Sequence, residues 1–226
     1  MPALALELVP LAIASAIIPL PLIVTVLLLR SASGKTAGAA WVGGQIAARA
    51  VQGLLFALVL DRAFAAGGGD GTKGPVVSTV LVILGILFYV LAARKALHAP
   101  DDDQPPPRWL TTLEAATPGR AFLLGAGLMA ISVKFWVFTL GAAGAIATAD
   151  LGLGVSAATY LGWVLVAVSL QLVLVATAVA MPSRADVLLA RVGDLLERYS
   201  RPLLIAVGLI FGTVFLTEGL AGLGVL

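Results

Sequence analysis

The sequence predicts an all-α integral membrane protein, with six transmembrane helices laid out as two inverted three-helix repeats. Three observations predict it. Of the 226 residues, 60% are hydrophobic and only 12% are charged, about half the charged share of a soluble domain. The apolar residues gather into runs at 5–29, 38–60, 75–97, 119–147, 152–180 and 202–222, each long enough to cross about 30 Å of hydrocarbon. Finally, polar and small residues recur in the same order in the first and second sets of three runs.

The first run contains Ala14-Ser15-Ala16, which resembles a signal-peptidase site. No Lys or Arg precedes it, Glu7 does, and the apolar stretch continues to Leu29, so an uncleaved transmembrane helix is expected. Orientation follows from the basic residues between the runs. Arg30, Lys35, Arg94, Lys95, Arg108, Arg120, Arg184, Arg191, Arg198 and Arg201 fall on one side, and only Arg62 and Lys73 on the other. The positive-inside rule then puts the protein in the plasma membrane as a multi-pass chain, with both termini extracytoplasmic.

Residues 1–97 form the first repeat, 98–118 a cytoplasmic linker and 119–226 the second repeat. The linker carries Asp101-Asp102-Asp103 and Pro105-Pro106-Pro107, a composition that stays solvated. Within the second repeat, about 184–200 reads as an amphipathic cytoplasmic helix. Ser183 and Asp186 form a capping box, and Leu188, Val192, Leu195 and Tyr199 recur at helical spacing. Its arginines suit anionic membrane lipids, and a plain connector is the alternative. In the last run Gly208 and Gly212 form a GxxxG, expected to pack within the chain against the region of Gly85, with a homodimer face as the alternative.

The repeat rests on specific residues. Trp41-Val42-Gly43 with Gln52 aligns with Tyr160-Leu161-Gly162 with Gln171 at one constant offset, and Pro75 with Gly85 aligns with Pro202 with Gly212. Pro19-Leu20-Pro21 falls opposite Ser132-Val133-Lys134. Three helices per repeat make the second half enter the membrane in the opposite sense, an arrangement that places a substrate site near the midplane at broken helices. Pro19 and Pro21 remove backbone donors at that depth.

On these motifs the chain resembles the lysine-exporter superfamily, and within it most closely the sulfolipid- or peptidoglycolipid-addressing proteins. The superfamily pattern has Pro-Gly-Pro in the first helix and Asn-Pro-Lys in the fourth. Here both outer prolines and the lysine stand, while the glycine, the asparagine and the second-half proline are replaced. The resemblance implies export of a small solute or movement of an envelope lipid, with no cofactor.

Two cations lie inside the apolar runs, Arg49 and Lys134. A charge at the bilayer centre costs about 3 kcal/mol on insertion scales, so such residues face the bundle interior and mark function. Gln45, Arg49 and Gln52 follow at i, i+4 and i+7, one polar stripe on an apolar helix. Gln171 mirrors Gln52, and Ser15, Ser132 and Tyr89 add hydroxyls. Glu7 and Glu218 are too near the helix ends to neutralise both cations. The expected ligand is therefore an anionic lipid or small molecule, held by Lys134, Arg49, Gln45, Gln52, Gln171, Ser15 and Ser132 near the Pro19–Pro21 break. The alternatives are that the cations bond freed carbonyls, or that Lys134 carries a coupling proton.

The remaining function classes are narrowed by absences. With no cysteine and a single His98, thiolate metal sites, thiol redox chemistry and imidazole chemistry at depth are out of reach. No carboxylate cluster suits a metal, and nothing suggests nucleic acid. Ser132 and Lys134 are two residues apart on a helix and point in different directions, so an enzyme is not expected. A transporter or translocator leads. An accessory subunit of envelope-lipid export machinery, docking through 184–200, is the second reading.

Overall fold

A computed structural model describes residues 2–66, 75–97, 113, 116–149 and 151–225. Most of the 98–118 linker, with its aspartate and proline triplets, lies outside the described residues. All regular structure among the described residues is helical. In chain order the helices are α1 (Pro2–Ala16), α2 (Pro19–Leu29), α3 (Gly34–Ala66), α4 (Pro75–Leu97), α5 (Pro118–Ile131), α6 (Val133–Thr148), α7 (Leu153–Ala167), α8 (Ser169–Ala180) and α9 (Pro182–Gly222).

Three of the expected spans are broken pairs. The α1 and α2 segments meet at 48°, α5 and α6 at 70°, and α7 and α8 at 62°. Ile205–Gly222 is long and apolar enough to cross a membrane by itself, and each bent pair qualifies if taken as one span.

Each break has its own cause. Ile18 is extended (φ −60°, ψ 124°), and Pro19 opens α2, with Pro21 two residues on. The first turn of a helix has N–H groups without intrahelical acceptors, so proline loses nothing there. These prolines therefore start a second helix, which is the break expected at Pro19–Pro21 and not a kink in one continuous helix. The α5/α6 break falls at Ser132 (φ −82°, ψ 107°), opposite Pro19 in the repeat. Leu128 O keeps its helical bond from Ser132 N–H, and two of the carbonyls freed at the break find side-chain donors: Met129 O takes the Gln52 amide at 2.9 Å and Ala130 O the Trp136 indole at 2.7 Å. The third break, at Val168 (φ −110°, ψ 6°), has no proline or glycine among residues 163–175. Val168 is wholly buried in a cluster with Val24, Leu28, Trp41, Leu113 and Ala121, and this packing sets the bend.

The chain forms two compact units. The first comprises Met1–Arg62 and Pro105–Glu197; the second comprises Ala63–Gln104 and Arg198–Leu226. In the first, α1 packs on α6 and α7, and α2 on α8. The α3 and α5 backbones touch through glycines: a Cβ on Gly44 would strike the Phe122 carbonyl, and one on Gly125 the Trp41 carbonyl. In the second, Gly208 and Gly212 serve the packing of α9 on α4. A Cβ on Gly208 would lie 2.8 Å from Ala92, and one on Gly85 2.8 Å from the Leu216 nitrogen. The GxxxG is thus used within the chain, as expected, beside a stack of Phe88, Phe211 and Phe215.

In the first unit many large apolar side chains stand exposed while several polar ones are buried. Leu6, Val9 and Ile13 line an exposed strip of α1, and Leu161 and Leu165 one of α7. Ser15, Thr25, Gln45, Arg49, Gln52, Thr139 and Gln171 are buried. Exposed apolar strips around a core that is mostly apolar but encloses these polar groups suit hydrocarbon better than water.

The amphipathic stretch belongs to α9, which runs on through Pro202 without a second start. Leu189 is buried against Leu22, Val26, Leu174 and Ala178, with Val192 beside it, while Leu195 and Tyr199 are exposed. Part of the apolar face expected at the membrane surface is therefore spent on the protein's own core. The side chains of Ser183, Asp186 and Leu188 lie outside the described residues.

Candidate functional site

The polar stripe of α3 organises the interior of the first unit. Gln45, Arg49 and Gln52 are all buried, at 0%, 1% and 3% exposure, and between them they are tied to all three broken helix pairs.

Gln45 meets Gln171, which stands in the first turn of α8. The Gln171 carbonyl oxygen accepts from the Gln45 amide at 2.7 Å, the Trp41 indole at 3.2 Å and the Thr25 hydroxyl at 3.1 Å. The Gln171 amide returns a bond to Gln45 at 3.2 Å. Gln52 makes the corresponding node at the α5/α6 break. Its amide donates to Met129 O, and the Thr139 hydroxyl stands 3.4 Å from its carbonyl oxygen. Each threonine also reaches the carbonyl four residues back, Thr25 to Pro21 at 2.7 Å and Thr139 to Phe135 at 2.9 Å. The two glutamines paired by the repeat are thus each met by a threonine from the opposite half of the sequence.

Arg49 sits between these nodes. Its Nη2 donates to Ser15 Oγ at 2.7 Å and its Nε to Met129 Sδ at 3.4 Å. The guanidinium carbon lies 5.7 Å from the Phe135 ring centre and 5.4 Å from that of Trp163, within cation–π range. Tyr160 donates its hydroxyl to the Arg49 carbonyl at 2.7 Å, and its ring fills the place a Cβ on Gly53 would need. No carboxylate is among these contacts, and no Asp or Glu occurs at 8–60, 115–149 or 151–185. Two donor atoms here are buried without an acceptor among the described residues, Arg49 Nη1 and Trp163 Nε1.

The expected site residues divide accordingly. Arg49, Ser15, Gln45, Gln52 and Gln171 converge as expected. Two of the three Arg49 nitrogens are engaged by the protein, so the bidentate clamp expected of it gives way to a single free nitrogen. The arginine bonds a hydroxyl and a thioether, not the freed backbone carbonyls of the alternative reading. Pro19 and Pro21 are buried, and Pro21 enters the network only through its carbonyl and Thr25. Ser132 contributes a backbone break and its hydroxyl caps nothing. Tyr89 belongs to the second unit, where its hydroxyl pairs with Thr213 at 2.7 Å. Lys134 is the second residue of α6, and its side chain lies outside the described residues. Sequence reasoning missed Thr25, Met129, Phe135, Thr139, Tyr160 and Trp163 as site residues. A hydroxyl inside an apolar run was the available signal for the two threonines; aromatic and thioether side chains in apolar helices carry none.

Fold and site together define a helical membrane protein whose first unit, among the described residues, buries an arginine without a carboxylate partner. The chain belongs to the sulfolipid-1-addressing protein family: the family model described as Sap, sulfolipid-1-addressing protein, matches residues 8–221. No curated protein and no solved structure matches it.

Proposed function

We propose that this protein is a secondary transporter or lipid translocator that moves an anionic or amphipathic envelope compound, a glycolipid or a small solute, across the cytoplasmic membrane. It does so as six spans in two inverted repeats of the lysine-exporter kind, 1–97 and 119–226, with both termini extracytoplasmic. The observation that carries this reading is Arg49, buried in contact with no carboxylate, where the α5/α6 break meets α1, α3 and α7. A lone cation in a low dielectric is expensive, and an anionic occupant offsets that cost. The family's description, a sulfolipid-addressing protein, supports a lipid bearing an anionic head group. The glutamine–threonine nodes join the two halves of the sequence, which supports a site where two repeats would meet. Lys134, at the position aligned with Pro21, serves as a second cation on the ligand's path, apart from the Arg49 contact.

The test is native mass spectrometry of wild type beside Arg49→Ala and Lys134→Ala, together with a flux assay in vesicles. Wild type retains an anionic lipid or metabolite, and each variant loses both it and flux while remaining folded. Equal flux in Arg49→Ala sinks the reading and leaves the accessory-subunit role, in which the arginine serves folding alone.

A further inference from the structure

Arg49 Nη1 and Trp163 Nε1 are the two buried side-chain atoms without a hydrogen-bond partner among the described residues, and they belong to groups in contact. The guanidinium carbon is 5.4 Å from the Trp163 ring centre, and Trp163 is 3% exposed. Buried donors without acceptors are rare because each forfeits its hydration, and a pair at one place has one economical explanation, a shared acceptor. The other donors around Arg49 are committed: Nε to Met129, Nη2 to Ser15 and the Tyr160 hydroxyl to the Arg49 carbonyl. The neighbouring amides are also engaged, Gln45 with Gln171 and Gln52 with Met129 O. What stays without a partner among the described residues is the charged Nη1 amino group of Arg49 and the neutral indole N–H of Trp163, beside the rings of Phe135 and Trp163.

We infer that Arg49 Nη1 and the Trp163 indole N–H together grip one singly charged oxyanion, a sulfate monoester, phosphodiester or carboxylate, and that Trp163 is a ligand-binding residue. This rests on the transport reading and names the head-group class. One guanidinium balances one negative charge; a phosphate monoester dianion would leave a second charge unpaired between two aromatic rings, where desolvation is costly. The neutral indole donor adds a hydrogen bond without adding charge, which favours weakly hydrated monoanions over dianions.

The experiment uses the full chain in zwitterionic nanodiscs with ¹⁵N-labelled tryptophan indoles. Methyl sulfate, dimethyl phosphate and, as the dianion, methyl phosphate are titrated in, with affinity followed by calorimetry. A long-chain alkyl sulfate placed in the bilayer forms a parallel arm. The monoanions are expected to move one indole N–H resonance downfield, the one deleted by Trp163→Phe. That variant keeps an aromatic ring against Arg49 and binds methyl sulfate about tenfold more weakly. Movement by the bilayer ester alone identifies entry from the lipid; movement by both identifies a site open to free anions, and either supports the site. Wild-type affinity in Trp163→Phe, an unmoved resonance, or tighter binding of methyl phosphate overturns the inference. If Arg49→Gln still loses ligand in those cases, the transport reading stands; if it binds like wild type, both fail.

Discussion

Gln171 is the residue on which most of the interior converges. Its carbonyl oxygen receives Gln45, Trp41 and Thr25, and Thr25 alone keeps a second acceptor in Pro21 O. Gln171→Leu therefore strands the Trp41 and Gln45 donors, at about 1–3 kcal/mol each. Gln52→Leu strands only Met129 O, because Thr139 retains Phe135 O. Thermal unfolding in one detergent is expected to rank Gln171→Leu below Gln52→Leu, with a stability loss about twice as large. The polar part of this network was legible in the sequence, because Gln45, Arg49 and Gln52 share one helical face and Gln171 repeats Gln52. Trp163 and Met129 were not, since an aromatic or thioether side chain in an apolar run looks the same whether it faces lipid or a guanidinium.

At the scale of elements, the three breaks show where local chemistry announces structure and where packing decides it. Proline marks the start of α2 directly. Ser132 is marked only through its repeat partner Pro19. Val168 carries no local mark at all, because its conformation comes from burial against α2, α3 and the approach to α5. Pro202 misleads in the opposite direction, suggesting a boundary inside a helix that continues past it. The α3/α5 crossing was equally hidden, since Gly44 and Gly125 look like ordinary glycines until their opposing backbones are in place. Gly125→Ala puts a methyl group into the Trp41 carbonyl and is expected to cost about 1–3 kcal/mol as an overpacked contact. Gly144 has open space around it, so Gly144→Ala is expected to be neutral or to stabilise by up to about 1 kcal/mol through helix propensity. Melting curves of the two variants check this, and equal behaviour would show that the crossing is not tight.

For the whole molecule, composition alone pointed to hydrocarbon as the solvent. It did not give the grouping of the chain, in which each compact unit takes part of its length from before the 98–118 linker and part from after it. Gln45 needs Gln171 in the first unit, and Gly85 needs Gly212 in the second. Each half of the sequence is in effect the other's chaperone. Opening the chain between Leu97 and Leu113 is therefore expected to yield two fragments that are degraded when made separately and accumulate when made together. Antibody detection of each fragment in membranes would show it. The peptide connection would then be dispensable and the partnership would not, which is how two separately encoded subunits behave.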